Sequence, residues 1–127
     1  MPRFLIIDDD ETVALTLGRM LELEGHQVRR ALSAEAGLAL AAAERPDAII
    51  VDMRMPIMGG LEFLRLLRAD PALHALPVGI VTGDYFLAED VMAELDTLGA
   101  RIRTKPVFMQ DLAALAQELL GKGARGA

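Results

Sequence analysis

Residues 47–60 read DAIIVDMRMPIMGG, and the first six of them decide the architecture. DAIIVD is a continuous apolar run, bounded by Pro46 before it and by Pro56, Gly59 and Gly60 after it. That is the pattern of a strand buried on both faces, which occurs in parallel sheets covered by helices on both sides. Toward the C-terminus the spacing predicts a helix from about Leu61 to Ala69, a strand at 76–82 (LPVGIVT), a helix over 85–98 ended by Gly99, a strand at 100–104 (ARIRT) and a helix over 108–120. Toward the N-terminus, Pro46 closes an Ala-rich helix that runs from an N-cap at Ser33 to about Glu44. Before it lie a weaker strand at 26–32 (HQVRRAL) and, over 10–24, a helix with Val13, Leu17, Met20 and Leu21 at helical spacing and Gly25 as its stop. The first strand is RFLIID, residues 3–8.

Five strands each followed by a helix make a βα repeat, and right-handed crossovers between parallel strands put helices on both faces of one sheet. Five units are too few for an eight-stranded barrel. The expected fold is therefore α/β, an open doubly wound five-stranded parallel sheet, in which ligands bind beyond the carboxyl ends of the strands.

Composition narrows the classes. A chain of 127 residues has room for one domain, expected here over 1–121 with 122–127 as a flexible tail. With no Cys there is no disulfide framework, thiolate metal site or nucleophilic thiol. No apolar run reaches the 18 or so residues of a membrane helix, and the N-terminal run is too short for a signal peptide, so a soluble cytoplasmic protein is expected. Thirteen Lys and Arg against 19 Asp and Glu leave a net charge of −6, which argues against direct nucleic-acid binding. What matters is where the acids sit.

The strand ends answer that. They carry Asp8 and Asp9 after the first strand, Asp52 at the end of the third, Thr82 at the end of the fourth and Lys105 after the fifth. A lone strand-end Asp is commonly an N-cap and a lone Lys a solvated charge. Asp10 reads as such a cap. Five such positions converging on one crevice have a single explanation in chemistry. Three carboxylates gathered together repel one another unless their pKa values rise or a cation joins them. Mg²⁺ suits a site of one or two carboxylates, a backbone carbonyl and waters, and it completes its shell with phosphate-like oxygens. Lys105 and Thr82 supply the charge and the hydroxyl that stabilise phosphoryl oxygens.

With FLIIDDDE at 4–11, VDMRMPIMGGLEFLRLLR at 51–68, IVTG at 80–83 and TKPV at 104–107, the chain resembles the receiver domain of two-component response regulators over nearly its whole length. The order and spacing carry the resemblance, with 44 residues from Asp8 to Asp52, 30 more to Thr82 and 23 more to Lys105. It implies a flavodoxin-like (βα)5 sheet of strand order 2-1-3-4-5. It implies that Asp52 is the phosphoacceptor and that Mg²⁺ is held by Asp9, Asp52 and the main-chain carbonyl of Arg54, with Asp8 acting through a metal-bound water. Thr82 and Lys105 would hold the phosphoryl oxygens, and the Lys105–Pro106 bond would be cis. The implied partners are a sensor histidine kinase or histidine phosphotransfer protein and a downstream protein target. A phosphorylation-dependent homodimer is one output the resemblance allows. No enzymatic activity beyond self-phosphorylation and dephosphorylation is implied.

Some positions depart from the pattern. Ile102 stands where the family usually has an aromatic switch residue, and Tyr85, just after Thr82, reads either as an exposed loop residue or as a substitute for it. Gly59 replaces a usual Asp or Asn, which should loosen that loop. Arg101 and Arg103 on the expected edge strand read either as protection against stray pairing or as a partner surface. His26 and His74 fall away from the crevice. Two other functions compete. A receiver-like interaction module that works without phosphorylation would be expected to lack one of the site residues, and all are present. An FMN carrier on the same topology would need a phosphate loop after the first strand and aromatic rings, where this chain has DDDE and 4% aromatics.

Overall fold

The computed structural model describes residues 1–84 and 86–121. Ten elements alternate along them: β1 (Arg3–Ile7), α1 (Glu11–Leu23), β2 (Gln27–Ala31), α2 (Ala34–Ala43), β3 (Ala48–Asp52), α3 (Gly60–Ala69), β4 (Val78–Thr82), α4 (Glu89–Thr97), β5 (Arg101–Thr104) and α5 (Met109–Leu119). The strands form one sheet in the order β2-β1-β3-β4-β5, and every neighbouring pair is parallel. This is the expected doubly wound flavodoxin-like fold. The predicted tail at 122–127 and the Tyr85 substitution both lie outside the described residues.

Alternation along the strands builds two cores, because successive side chains leave opposite faces of a sheet. Phe4 and Ile6 of β1 and Ile50 of β3 meet Leu17 and Leu21 of α1 and Leu112 and Leu115 of α5. Leu5, Ile7, Ile49 and Val51 face the other way and pack with Phe63, Leu64 and Leu67 of α3 and Leu95 of α4. The central strands β3 and β4 are buried at every position, whereas β5 at the edge is not.

The helix starts follow local hydrogen bonding. Asp10 is a cap, its carboxylate accepting from the N–H groups of Thr12 and Val13, and Ser33 caps α2 through Ala36. The fourth helix is the main correction to the sequence expectation, since α4 starts at Glu89 and not at 85. The reason is side-chain competition for the backbone. Thr82 Oγ accepts the N–H of Asp84 at 3.0 Å, and Asp84 Oδ1 accepts that of Phe86 at 3.1 Å, bonds that compete with helical ones ahead of Glu89. Likewise β4 starts at Val78 and not at 76, because Leu76 donates its N–H back to Leu73 at 3.1 Å.

The departures noted in the sequence also find places. Ile102 packs against the core on the α3–α4 side. Arg101 and Arg103 both pair with Glu118 of α5, at 3.8 and 2.6 Å, so they clasp the edge strand to its helix. Gly59 leaves α3 without a side-chain cap, yet its loop is close-set: a Cβ there would come within 2.9 Å of the Met53 carbonyl. His26 precedes β2, at the end of the sheet opposite the strand carboxyl ends, with its ring 4.8 Å from that of Phe4.

Candidate functional site

Backbone hydrogen bonds carry the sheet just past its strands and line up the ends. The Asp8 N–H donates to the Ala31 carbonyl at 3.1 Å, that of Met53 to Val81 at 3.0 Å, and that of Lys105 to Thr82 at 2.7 Å. Register places Asp52 opposite Val81, one residue short of Thr82, and Thr82 opposite Thr104. The loop after Asp52 returns tightly, with the Gly60 N–H donating to the Met53 carbonyl at 2.9 Å. Within it Ile57 has a φ of 70° and the Met58 N–H reaches the Pro56 carbonyl at 2.7 Å, a γ-type turn on a β-branched residue that holds backbone strain. The Lys105–Pro106 bond is cis.

At this edge Asp8, Asp52 and Thr82 are the buried polar residues, with 2%, 7% and 1% of their surface exposed. Asp9 is exposed beside them. One carboxylate oxygen from each of Asp8, Asp9 and Asp52 lies within 4.8 Å of the others. Lys105 Nζ bridges the two buried acids, 2.8 Å from Asp52 and 3.3 Å from Asp8. Asp8 is further oriented by the Asp10 N–H at 2.9 Å.

The electrostatics follow from that packing. Burial pushes the Asp8 carboxyl above its ordinary value, aided by the negative charge of Asp52 and opposed by the Asp10 N–H and by Lys105. Burial alone would lower Lys105. The hydrogen bond and charge of Asp52, joined by those of Asp8, outweigh it and hold the ammonium above its usual value. Three carboxylates against one ammonium leave the cluster negative. An all-oxygen, partly open donor set of this kind fits a hard divalent cation such as Mg²⁺, with room for waters or phosphoryl oxygens.

Asp8, Asp9, Asp52 and Lys105 are thus brought together. Thr82 stands on the adjoining strand with its hydroxyl engaged by its own loop. Arg54 is exposed on the loop after β3, and its guanidinium pairs with Asp84. Asp52, Arg54, Gly83, Asp84 and Lys105 line one open crevice. Asp84 is the residue the sequence reading missed. Its signal was an acid two residues after Thr82, opposite a base two residues after Asp52. A second, mainly apolar pocket of about 500 Å³ lies on the other side of Lys105, walled by Val13, Leu17 and Met20 of α1 and by Pro106 and Val107.

Fold and site together define an open doubly wound α/β domain with a carboxylate cluster and one ammonium at its strand carboxyl ends. Residues 4–117 match the response regulator receiver domain, and the chain belongs to that family. Among curated relatives it is 44% identical over 82 residues to the protein PilH of Pseudomonas aeruginosa, covering 65% of this chain and 68% of that one. It is 36% identical over 118 residues to the response regulator MprA of Mycolicibacterium vanbaalenii, covering 93% of this chain but 50% of that protein, so the match spans only half of the longer regulator. Among solved structures it is similar to the chemotaxis response regulator CheY4 of Vibrio cholerae, with a TM-score of 0.86 and 27% identity over 94% of this chain and 99% of that one. The receiver domain of a signal transduction histidine kinase from Syntrophus aciditrophicus gives 0.84 and 30%, over 95% and 91% of the two chains.

Proposed function

We propose that this chain accepts a phosphoryl group on Asp52 from a phosphohistidine of a sensor histidine kinase or histidine phosphotransfer protein, or from a small donor such as acetyl phosphate. A carboxylate oxygen of Asp52 forms the new P–O bond as the P–N bond to the donor imidazole breaks, or, with acetyl phosphate, as its P–O bond breaks and acetate leaves. The obstacle is charge, because an anionic nucleophile approaches an anionic phosphoryl group. Lys105 would meet it directly, since its ammonium, 2.8 Å from Asp52, is close enough to offer an incoming phosphoryl oxygen a counter-charge. Asp9, Asp52 and the Arg54 carbonyl would hold Mg²⁺, with Asp8 acting through a water, and the bound ion supplies further neutralisation of phosphoryl charge. Thr82 would donate its hydroxyl to a phosphoryl oxygen. The aspartyl phosphate brings nearly two negative charges to a buried strand end, and its engagement of Thr82 shifts the population of the α4–β5–α5 surface toward the form read by a downstream protein.

The observation that carries this reading is the bridge of Lys105 between two buried carboxylates that share an oxygen cluster with Asp9. A cytoplasmic location, a protein target with neither nucleic acid nor membrane as direct partner, and a phosphorylation-dependent homodimer as one output go with it. Among the described residues no helix is long and apolar enough to cross a membrane. The test is intact mass after incubation with acetyl phosphate, with and without Mg²⁺, on the wild type and on Asp52→Asn. One phosphoryl adduct is expected, dependent on Mg²⁺ and lost in the variant. An adduct of equal yield in Asp52→Asn would overturn the assignment, and no adduct in the wild type would favour an interaction module that works without phosphate.

A further inference from the structure

The crevice over Asp52 has a second cation in its wall besides Lys105. Arg54 lies on the loop from β3 to α3, and its guanidinium crosses to Asp84 on the loop from β4 to α4. Asp84 is the hub of that second loop. Its N–H donates to Thr82 Oγ at 3.0 Å, its Oδ1 accepts from Phe86 at 3.1 Å, and its Oδ2 takes Arg54. The pairing lowers the Asp84 carboxyl below its usual value, chiefly through the Arg54 hydrogen bond. Lys105, by contrast, is shared between Asp8 and Asp52.

A phosphoryl group on Asp52 changes the competition for the guanidinium. Asp84 offers one negative charge, the phosphoryl group nearly two and three acceptor oxygens. A planar guanidinium matches phosphoryl oxygens with two parallel N–H bonds, which an ammonium cannot do. We propose that the Arg54 side chain is a phosphoryl-holding residue kept in reserve by Asp84: on phosphorylation of Asp52 it leaves Asp84 and binds a phosphoryl oxygen. The exchange breaks one ion pair and forms another, with no bond made or lost. It also frees Asp84, whose N–H is bound to the Thr82 hydroxyl, so the β4–α4 loop loses its tie to β3 as the site fills. In a chain with Ile102 on β5, this exchange transmits occupancy toward α4. The inference rests on the phosphoacceptor reading above.

The test uses beryllofluoride with Mg²⁺ as the phosphoryl mimic, its binding to the whole chain read by titration with ¹⁹F magnetic resonance. Arg54→Ala keeps the main-chain carbonyl and removes only the guanidinium. It is expected to weaken binding by about tenfold, the scale of one charged hydrogen bond. Asp84→Asn keeps the Oδ1 acceptor for the Phe86 N–H and removes the competing charge, so it is expected to tighten binding by roughly threefold, and the double variant to match Arg54→Ala. Arg54→Lys should fall between the wild type and Arg54→Ala. A pair that merely clamps the two loops would make both single variants shift binding the same way, and that result, or no shift in either, overturns the proposal. Absence of bound signal in the wild type would instead bring down the phosphoacceptor reading and this inference with it. Arg54 is exposed and Asp84 half-buried in a loop outside both cores, so circular dichroism is expected to show all variants folded.

Discussion

Adding one methyl group at Gly60 should both destabilise the protein and displace its nucleophile. A Cβ at this position would lie 2.7 Å from the Asp52 carbonyl oxygen and 3.0 Å from the Met53 Cα. Both are backbone atoms of the strand end that presents Asp52, and neither can rotate away. To reach the 3.4 Å at which ordinary contact begins, α3 and the end of β3 must part by about 0.7 Å. Overpacking of this size costs about 1–3 kcal/mol. Alanine in the first turn of a helix returns up to about 1 kcal/mol over glycine. The net expectation for Gly60→Ala is a loss of about 1–2 kcal/mol, which for a chain of this length lowers Tm by roughly 4–8 °C. For stability alone Gly83→Ala is the control, because a Cβ there meets nothing within 4 Å, although the residue lines the crevice. Thermal and urea denaturation measure the stability, and the initial rate of Asp52 phosphorylation by acetyl phosphate measures the displacement. A Gly60→Ala protein with Tm at or above the wild type would refute the argument, since it would mean that α3 slides away at no cost and that the glycine does not hold the strand end in place.

Other consequences can be measured directly. Asp8→Asn keeps an acceptor for the Asp10 N–H while removing a buried charge, so with EDTA present it should stabilise the fold by on the order of 1 kcal/mol at neutral pH; a urea midpoint at or below the wild type's would contradict this. Because the folded-state pKa of Asp8 is raised by burial, its contribution to stability is present below the unfolded value and lost as pH rises through the folded one. Wild type and Asp8→Asn should therefore converge in stability on acidification, as urea midpoints across pH would show. Arg68 ties the end of α3 to the carbonyls of Leu98, His74 and Leu76 at 2.7, 3.0 and 2.6 Å, with burial lowering its pKa. Arg68→Ala should cost about 2–3 kcal/mol and Arg68→Lys less, and a urea midpoint for Arg68→Ala equal to the wild type's would show those carbonyls to be satisfied otherwise.

Much of the fold was legible because burial leaves a mark on residue type. A strand covered on both faces must be apolar throughout, as 48–51 are, and helices that cover it must repeat their apolar residues at 3.6 positions, as α1 does. The segment after Thr82 was misread for a physical reason. Its composition allows a helix, but Thr82 Oγ and Asp84 Oδ1 accept from nearby N–H groups and compete with helix formation before Glu89. Those bonds depend on rotamers, which no spacing rule reports.

The site divides in the same way. That Asp8, Asp9, Asp52, Thr82 and Lys105 meet at one edge follows from the sequence, because a parallel sheet brings all its strand carboxyl ends to the same side and the motifs sit at those ends. What they do to one another does not follow from it. The bridge of Lys105 between Asp52 and Asp8, the burial that raises Asp8 while Asp9 stays exposed, and the reach of Arg54 to an acid 30 residues away are set by sub-ångström packing of loops. Charge and hydrogen bonding fall off steeply with distance and depend on the solvent left around each group. The sequence determined which groups converge, and the tertiary structure decided which of them pair, because only folding sets their separations and their exposure to water.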